Sequence, residues 1–363
     1  MCGIAGFFKL GDTTKEQDKD IFEIATALFD ETKSRGRDAS GFSYFKDNGE
    51  LVTTKGPIHS GEMIKNPLWT KIGNHVPHSM IMHCRAMTKG SEYDNMNNHP
   101  LVIDKRISVV HNGGIWNDDN LREQFSLPSK GQVDSEVIPM MINKYLNDIS
   151  GFPAPASVNN ARAINLTSQS IMGSYACAMI NRDVPNMLYL FNHKNPVTLA
   201  YVETLNTIFF SSTKSIMTDA FSTVSNKVTV FNIFSSVKHS PMVYEVPDDT
   251  LIVLGVHEKQ IDAKDELIKN ATVVNKHFAI TLYDLFTNPE TPYNKSSVTK
   301  DDKVTEDVLR KLLTKKGTRK PEPAPASTYT ASYPASSRQG YIGFRDEKDR
   351  NGHDTDSRYW GYV

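Results

Sequence analysis

Residues 1–8 read MCGIAGFF, a short apolar run with a cysteine at position 2. The run ends at Lys9 and is typical of a buried β-strand at the very start of a chain. A small residue at position 2 permits removal of Met1, which would leave Cys2 with both a thiol and a free α-amino group. Because their ordinary pKa values are about 8.5 and about 7.7–8.0, the amine can act as general base for the thiol. The alternative is a small buried or incidental cysteine.

Length and charge limit the classes of protein to consider. The chain has 363 residues, a formal net charge of −1 and three cysteines. The near-zero charge gives no reason to expect a nucleic-acid or anionic-membrane partner, and no apolar run approaches the roughly 18 residues of a membrane span. Three cysteines are too few for a disulfide framework or a cysteine-based zinc site, and the first residues do not resemble a secretory signal. We therefore expect a cytoplasmic protein with free thiols.

The hydropathy pattern groups helices between sets of strands. Helical spacing is found over 12–36, 133–148 and 160–172, and a hairpin turns at Asn48-Gly49. Further strand-like runs lie at 79–84, 106–113, 174–181, 187–193, 198–203, 207–212, 227–234 and 249–255. Strands and helices do not alternate strictly, so the pattern favours an α+β fold of antiparallel sheets covered by helices over a doubly wound parallel sheet.

The globular pattern fades after Gly255. We predict one domain over 2–255, a polar extension over 256–316 with one further short helix at 298–316, and a tail over 317–363. The tail is rich in Pro, Ala, Ser and Thr and is expected to be largely disordered. Its Tyr359, Trp360 and Tyr362 are of types enriched at binding hot spots, so a partner could order this tail; the alternative is an inert solvated extension.

Six further stretches follow Cys2 in a characteristic order. They are SRGRDASGF (34–42), HCRAMTKG (83–90), NNHPLV (97–102), HNGGIWN (111–117), VDSEVI (133–138) and GSYACAMI (173–180). Together they resemble the class II glutamine amidotransferases, which are N-terminal-nucleophile hydrolases, over about residues 2–255. The resemblance implies a four-layer αββα sandwich of antiparallel sheets. It also implies hydrolysis of the side-chain amide of L-glutamine through a thioester at Cys2, with neither cofactor nor metal ion.

The resemblance implies three residues that hold the ends of free glutamine. Arg85 would bind the α-carboxylate with its guanidinium fork, Thr88 would add a hydroxyl to the same carboxylate, and Asp134 would pair with the ammonium group. Each residue also has a plainer interpretation. Arg85 could form a structural salt bridge, Thr88 could end a strand or cap a helix, and Asp134 could serve the first turn of its helix.

Three more residues are implied around the reacting bond. The side-chain amide of Asn112 and the backbone N–H of Gly113 would stabilise the oxyanion, and Arg35 would support the nucleophile. Taken alone, Asn112-Gly113 would indicate a turn after the strand. His83, His99 and His111 lack the spacing of a zinc site and are interpreted as structural hydrogen-bonding residues.

Some positions depart from the pattern of the family. Arg37 replaces an aromatic residue or glutamine, Ala86 and Met87 stand where the sugar synthases have Trp-Ala, and Lys89 stands where they have histidine. These differences argue against the sugar-synthase subfamily but leave the implied glutaminase residues intact.

The ammonia acceptor is the open question. The 108 residues 256–363 are too few for a usual synthase domain, so we expect L-glutamine as substrate and a separate synthase as partner. The alternatives are a stand-alone glutaminase, a related N-terminal-cysteine amidase, and a non-catalytic binding protein that kept the fold.

Overall fold

The computed structural model describes residues 1–150, 156–225, 228, 242–255, 271–275 and 278–281, all within one compact unit. The described strands are β1 (Gly3–Lys9), β2 (Ala39–Phe45), β3 (Leu51–Gly56), β4 (Ser79–Arg85), β5 (Leu101–Ile103), β6 (Ile107–Ile115), β7 (Gly173–Asn181), β8 (Met187–His193), β9 (Thr198–Val202), β10 (Thr207–Ser211), β11 (Met242–Glu245), β12 (Thr250–Gly255), β13 (Ala271–Asn275) and β14 (Phe278–Thr281). The described helices are α1 (Lys15–Thr32), α2 (Ser60–Met63), α3 (Pro67–Ile72), α4 (Asp118–Phe125), α5 (Val137–Asp148), α6 (Ala156–Ser170) and α7 (Lys214–Val224).

The described strands form two antiparallel sheets of seven strands each. The first sheet has the order β11-β9-β10-β1-β4-β2-β3, and the second has the order β14-β13-β12-β8-β7-β6-β5. The apolar run at the N-terminus thus forms the central strand of the first sheet, paired with β10 on one side and β4 on the other.

Three apolar clusters separate four layers. The first lies between α1, α7 and the first sheet and includes Phe29 and Trp69. The second lies between the two sheets and includes Ile4 and Phe210, and the third lies between the second sheet and α5 and α6. This αββα arrangement confirms the fold class expected from the sequence. Among the described helices, none has the length and hydropathy needed to cross a bilayer.

Helix α1 shows why local sequence predicted much of this fold. Thr14 accepts from the backbone N–H of Gln17, and the side chain of Gln17 accepts from the N–H of Thr14, which is a capping box. The apolar residues at helical spacing, Ile21 to Phe29, are buried against the first sheet. The helix ends at Thr32, so that Arg35 and Gly36 return the chain to the start of β1 and the end of β4.

Several elements differ from the sequence prediction. Helices α2, α3, α4 and α7 were not predicted, although Thr213 caps α7 by accepting from the N–H of Ile216. The second sheet also continues past the predicted boundary at residue 255, because β13 pairs with β12 and β14 pairs with β13. The predicted strand at 227–234, the helix at 298–316 and the tail lie outside the described residues.

Candidate active site

Cys2 lies just before the central strand of the first sheet. The register pairs Gly3 with Cys84, so Cys2 lies next to Arg85 at the end of β4. Its Sγ is 3.6 Å from the carbonyl oxygen of Ala86, and its own carbonyl accepts from Arg35 Nε at 3.2 Å. Burial raises the pKa of the thiol, and the positive charges of the N-terminal amine and Arg85 oppose that rise.

Arg85 is 3% exposed, and its guanidinium is held by its own loop. It donates to the carbonyls of Lys89 at 2.6 Å and Gly90 at 2.7 Å and to Asn98 Oδ1 at 3.0 Å. These bonds take three of its five N–H groups and leave two for another partner.

Asp38 fixes the backbone on either side of Ala86. Its N–H donates to the carbonyl of Arg85 at 3.0 Å, and its Oδ2 accepts from the N–H of Met87 at 2.6 Å. Asp38 lies in one of the sequence motifs, but the sequence predicts no role for it. Only the fold brings its carboxylate to Met87, which is 49 residues along the chain.

Asn112 and Gly113 lie within β6, so the prediction of a turn at this dipeptide is wrong. Asn112 pairs with Ala176 and Gly113 with Tyr175 in the ladder to β7. The carbonyl of Asn112 accepts from Asn195 Nδ2 at 2.8 Å. Asn112 is 2% exposed, and its Nδ2 has no hydrogen-bond partner among the residues that the structure describes. A buried amide without a partner is costly, which makes this group available for a ligand.

Gly113 has a φ of 148°, and a Cβ added there would lie 2.0 Å from the carbonyl oxygen of Ser174. No other residue type fits this position without moving β7. The glycine therefore permits the backbone conformation that sets the direction of its own N–H group.

Asp134 lies in a 3₁₀ turn that leads into α5. Its Oδ2 accepts from the N–H of Ile115 at 2.6 Å, two residues beyond Gly113. Its negative charge acts on the Cys2 thiol in the direction opposite to Arg85. Arg85 and Asp134 are therefore both close enough to Cys2 to act on its thiol electrostatically.

Three buried histidines connect the two sheets behind the site. His83 Nε2 and the carbonyl of His111 are 2.9 Å apart, and His111 Nδ1 lies 2.7 Å from Ser135 Oγ. The rings of His83 and His99 lie 4.2 Å apart. Burial lowers the pKa of His83 to about 3 and that of His99 well below its usual range, so these rings are neutral at ordinary pH.

The remaining predicted residues lie at the edge. Thr88 is exposed in the loop after Arg85. Among the described residues, it forms no hydrogen bond with the other predicted site residues. Arg35 Nη2 is 3.6 Å from Met1 Sδ. Cys84 and Cys177 are buried, and burial raises the pKa of the Cys84 thiol to about 12.

A separate cavity of about 350 Å³ lies beside the end of β7. Its lining includes Trp116, Met172, Tyr175, His193 and Lys194, and none of the predicted site residues contributes to it.

Comparison with known proteins finds a family model that matches part of the chain. Residues 83–219, which include Arg85, Asn112, Gly113 and Asp134, match the family model described as a glutamine amidotransferase domain. Over this region the chain resembles the glutamine amidotransferases. The resemblance to class II enzymes that the sequence motifs indicated is thereby confirmed, together with its fold.

Relatives of the amidotransferase domain are larger proteins. Glutamine–fructose-6-phosphate aminotransferase (isomerizing) of Bacillus cereus is 25% identical over 290 residues, which cover 74% of this chain and 44% of that protein. The 7-cyano-7-deazaguanine synthase of Saccharolobus solfataricus is 26% identical over 219 residues, covering 58% and 43%. The chain thus spans less than half the length of these two relatives.

A solved structure shares the fold. Glutamine phosphoribosylpyrophosphate amidotransferase from B. subtilis superposes with a TM-score of 0.51 at 16% identity, over 76% of this chain and 49% of that one. At this sequence identity the structural similarity is evidence for the shared fold alone.

Proposed function

We propose that the amidotransferase domain hydrolyses the side-chain amide of L-glutamine to glutamate and ammonia, with Cys2 as N-terminal nucleophile after loss of Met1. One observation carries the proposal. The half-buried Cys2 thiol lies within the electrostatic reach of a guanidinium and a carboxylate, at the ends of the two sheets where Asn112 offers a buried amide without a partner. The guanidinium and the carboxylate can pair with the carboxylate and the ammonium group of a free amino acid. The amide can donate a hydrogen bond to a developing oxyanion.

The reaction runs in two halves. The Cys2 sulfur attacks the amide carbon while the Cys2 amine takes the thiol proton. The oxyanion accepts from Asn112 Nδ2 and the N–H of Gly113, and the amine returns the proton as the C–N bond breaks and ammonia leaves. Water then attacks the glutamyl thioester, one of its protons returns to the sulfur, and glutamate is released. Apart from this water molecule, every group in these steps belongs to the chain or its substrate.

Four residues would bind and orient the substrate. One of the two unengaged N–H groups of Arg85, on Nε or Nη1, would donate to the α-carboxylate, and Asp134 would accept from the ammonium group. Thr88 would reach the carboxylate only when its exposed loop folds over bound substrate. Arg35 would hold the Cys2 backbone through the bond to its carbonyl.

The proposal is tested with a glutamine-like electrophile. Native protein is treated with 6-diazo-5-oxo-norleucine and mapped by mass spectrometry, alongside an assay of glutamate release. We expect Met1 to be absent and one adduct to form at Cys2, because burial keeps Cys84 and Cys177 protonated. Cys2→Ala should abolish both labelling and hydrolysis without unfolding the protein. Full activity with Met1 retained, or labelling at Cys84 or Cys177, would contradict the proposal.

A separate synthase is the proposed destination of the ammonia, in the cytoplasm. Large apolar side chains are exposed in the segment between β4 and β5 that follows Arg85, namely Met87, Tyr93 and Met96. Exposed apolar groups that gather in one region are typical of a protein-binding surface. Co-purification of a synthase would support this partner, whereas ammonia released freely at an unchanged rate in cell extract would favour the stand-alone glutaminase or amidase. A protein inert to both glutamine and the electrophile would be the non-catalytic alternative.

A further inference from the structure

Asn98 connects the guanidinium of Arg85 to the rest of the fold. Its Oδ1 accepts from Arg85 Nη1 at 3.0 Å, and its Nδ2 donates to the carbonyl of Glu92 at 2.6 Å and to Asn95 Oδ1 at 3.0 Å. The side chain is fully buried. Because both ends of its amide are engaged, Asn98 cannot rotate without breaking bonds, and its position sets the position of the guanidinium.

Lys55 in turn holds the backbone of Asn98. This lysine lies on β3 and is 8% exposed. Its Nζ donates to the carbonyls of Asn98 at 2.8 Å and Pro100 at 3.0 Å, and no carboxylate lies within salt-bridge distance of it among the described residues. Lysines are rarely buried unless they are paired with an opposite charge, so this one calls for an explanation beyond stability.

We propose that Lys55 and Asn98 are positioning residues for substrate binding: Lys55 fixes Asn98, and Asn98 fixes the Arg85 fork that receives the α-carboxylate of glutamine. The inference rests on the proposed function. It assigns to β3, the edge strand of the first sheet, a part in recognising one end of the substrate.

The physical reason lies in the shape of the guanidinium. Its donors lie in one rigid plane. Both N–H groups of Nη2 and one of Nη1 are already engaged, so the hydrogen bond that remains for a carboxylate, from Nε or Nη1, depends on the direction of that plane. A misplacement of about 1 Å can cost a factor of about 10². Loss of the Lys55 or Asn98 contact should therefore weaken the hold on the carboxylate, while Cys2 and Asn112 continue to act on the amide at the other end.

The test measures steady-state glutamine hydrolysis by Lys55→Met, Asn98→Ala and the double variant. We expect each single variant to raise KM about tenfold with kcat within about twofold of wild type. The double variant should be no worse than the more affected single variant, because both substitutions break one chain of contacts. Lys55→Arg, which keeps a cation able to donate to both carbonyls, should stay within about threefold of the wild-type KM.

The matched control is Lys9→Met. Lys9 is also 8% exposed and also donates to a backbone carbonyl, that of Val76, but it lies at the opposite end of the first sheet from Cys2. We expect this variant to keep the wild-type KM. A second readout is 4-aminobutanamide, which is glutamine without its α-carboxylate: its kcat/KM should be the same for wild type and variants.

The outcomes separate the two proposals. A wild-type protein that does not hydrolyse glutamine contradicts the proposed function itself. An active wild type with unchanged KM in Lys55→Met and Asn98→Ala overturns the positioning role. Equal losses with glutamine and 4-aminobutanamide, or multiplying effects in the double variant, would overturn it as well, since they would indicate general damage or independent contributions.

Discussion

Asn112 is the residue whose side chain is most clearly available for a ligand. Its Nδ2 is buried and has no partner in the described part of the chain, although its carbonyl is held by Asn195. Such a group is fixed in direction before any substrate arrives, and this preorganisation is what makes an oxyanion donor effective.

Asn112→Ala is expected to lower kcat by roughly 10²–10³ with little change in KM, because the donor acts on charge that develops only in the transition state. Stopped and steady-state glutaminase assays would measure the two constants. Asn195→Ala is the matched control: it removes the support of the Asn112 backbone and should lower kcat less. A change confined to KM would refute the oxyanion assignment.

At the residue scale, motifs predicted the positions with charged or amide groups in recognisable short patterns. Arg85, Asn112 and Asp134 stand in such patterns. The structure places Arg85 beside Cys2 and brings the charge of Asp134 within reach of its thiol. Lys55 and Asn98 were not predicted, since their contacts join β3 to a loop more than 40 residues away and no local pattern records that meeting. The only available signal for Lys55 was a lysine near the end of β3, where the neighbouring residues of the strand are buried.

At the scale of elements, strand β6 carries Asn112 and Gly113, the two proposed oxyanion donors, in an unusual backbone conformation. The dipeptide Asn112-Gly113 ordinarily indicates a turn, yet here it continues the ladder to β7. Long-range pairing overrode the local signal. Gly113 lies in a strand but keeps a positive φ, which is a conformation typical of glycine in a turn.

Gly113→Ala is expected to destabilise the domain by about 1–3 kcal/mol and to reduce kcat, because its Cβ would lie 2.0 Å from the Ser174 carbonyl. Gly114→Ala is the control on the neighbouring residue, where the nearest atoms would lie at 3.9 and 4.0 Å; it should change stability little. Urea unfolding and glutaminase assays of the two variants would measure both effects. Equal behaviour of the two alanine variants would show that the strand tolerates a side chain at both positions.

Among the other elements, sequence spacing predicted α1 and the early strands because their apolar faces repeat regularly and their ends carry caps. It missed α7, a short helix that directly follows β10, where the strand pattern masked the helical one. It also placed the end of the domain at 255, because the runs at 271–275 and 278–281 lie in a polar stretch. The first of them finds its partner only in β12, and the second only in β13.

At the scale of the whole molecule, Lys55 links stability to pH. Its ordinary pKa is 10.5, and burial lowers the value in the folded protein to about 8 despite the attraction of Asp94 and Glu136. Between these two values the unfolded chain binds more protons than the folded one, so stability must rise with pH through that window. Below about pH 8 the folded protein bears the full cost of the buried charge.

The free energy of unfolding of wild type relative to Lys55→Met should therefore increase between about pH 8 and 10.5, by at most about 3.4 kcal/mol at about 1.36 kcal/mol per pH unit. Methionine does not titrate, so the variant subtracts the pH response of every other group. Urea unfolding of both proteins at pH 7.5, 9 and 10 would measure the difference. A difference that is flat or falls with pH would show that Lys55 titrates normally in the fold.

The central place of β1 has a consequence for how the protein is made. Gly3–Lys9 is synthesised well before one of its two neighbours, β10, which ends at Ser211. At about 5–20 residues per second, a ribosome needs roughly 10–40 s to cover the residues between them. Throughout this interval the first sheet lacks a strand beside its middle. Under the proposed function, the order of synthesis therefore allows Met1 to be removed before the pocket around Cys2 closes.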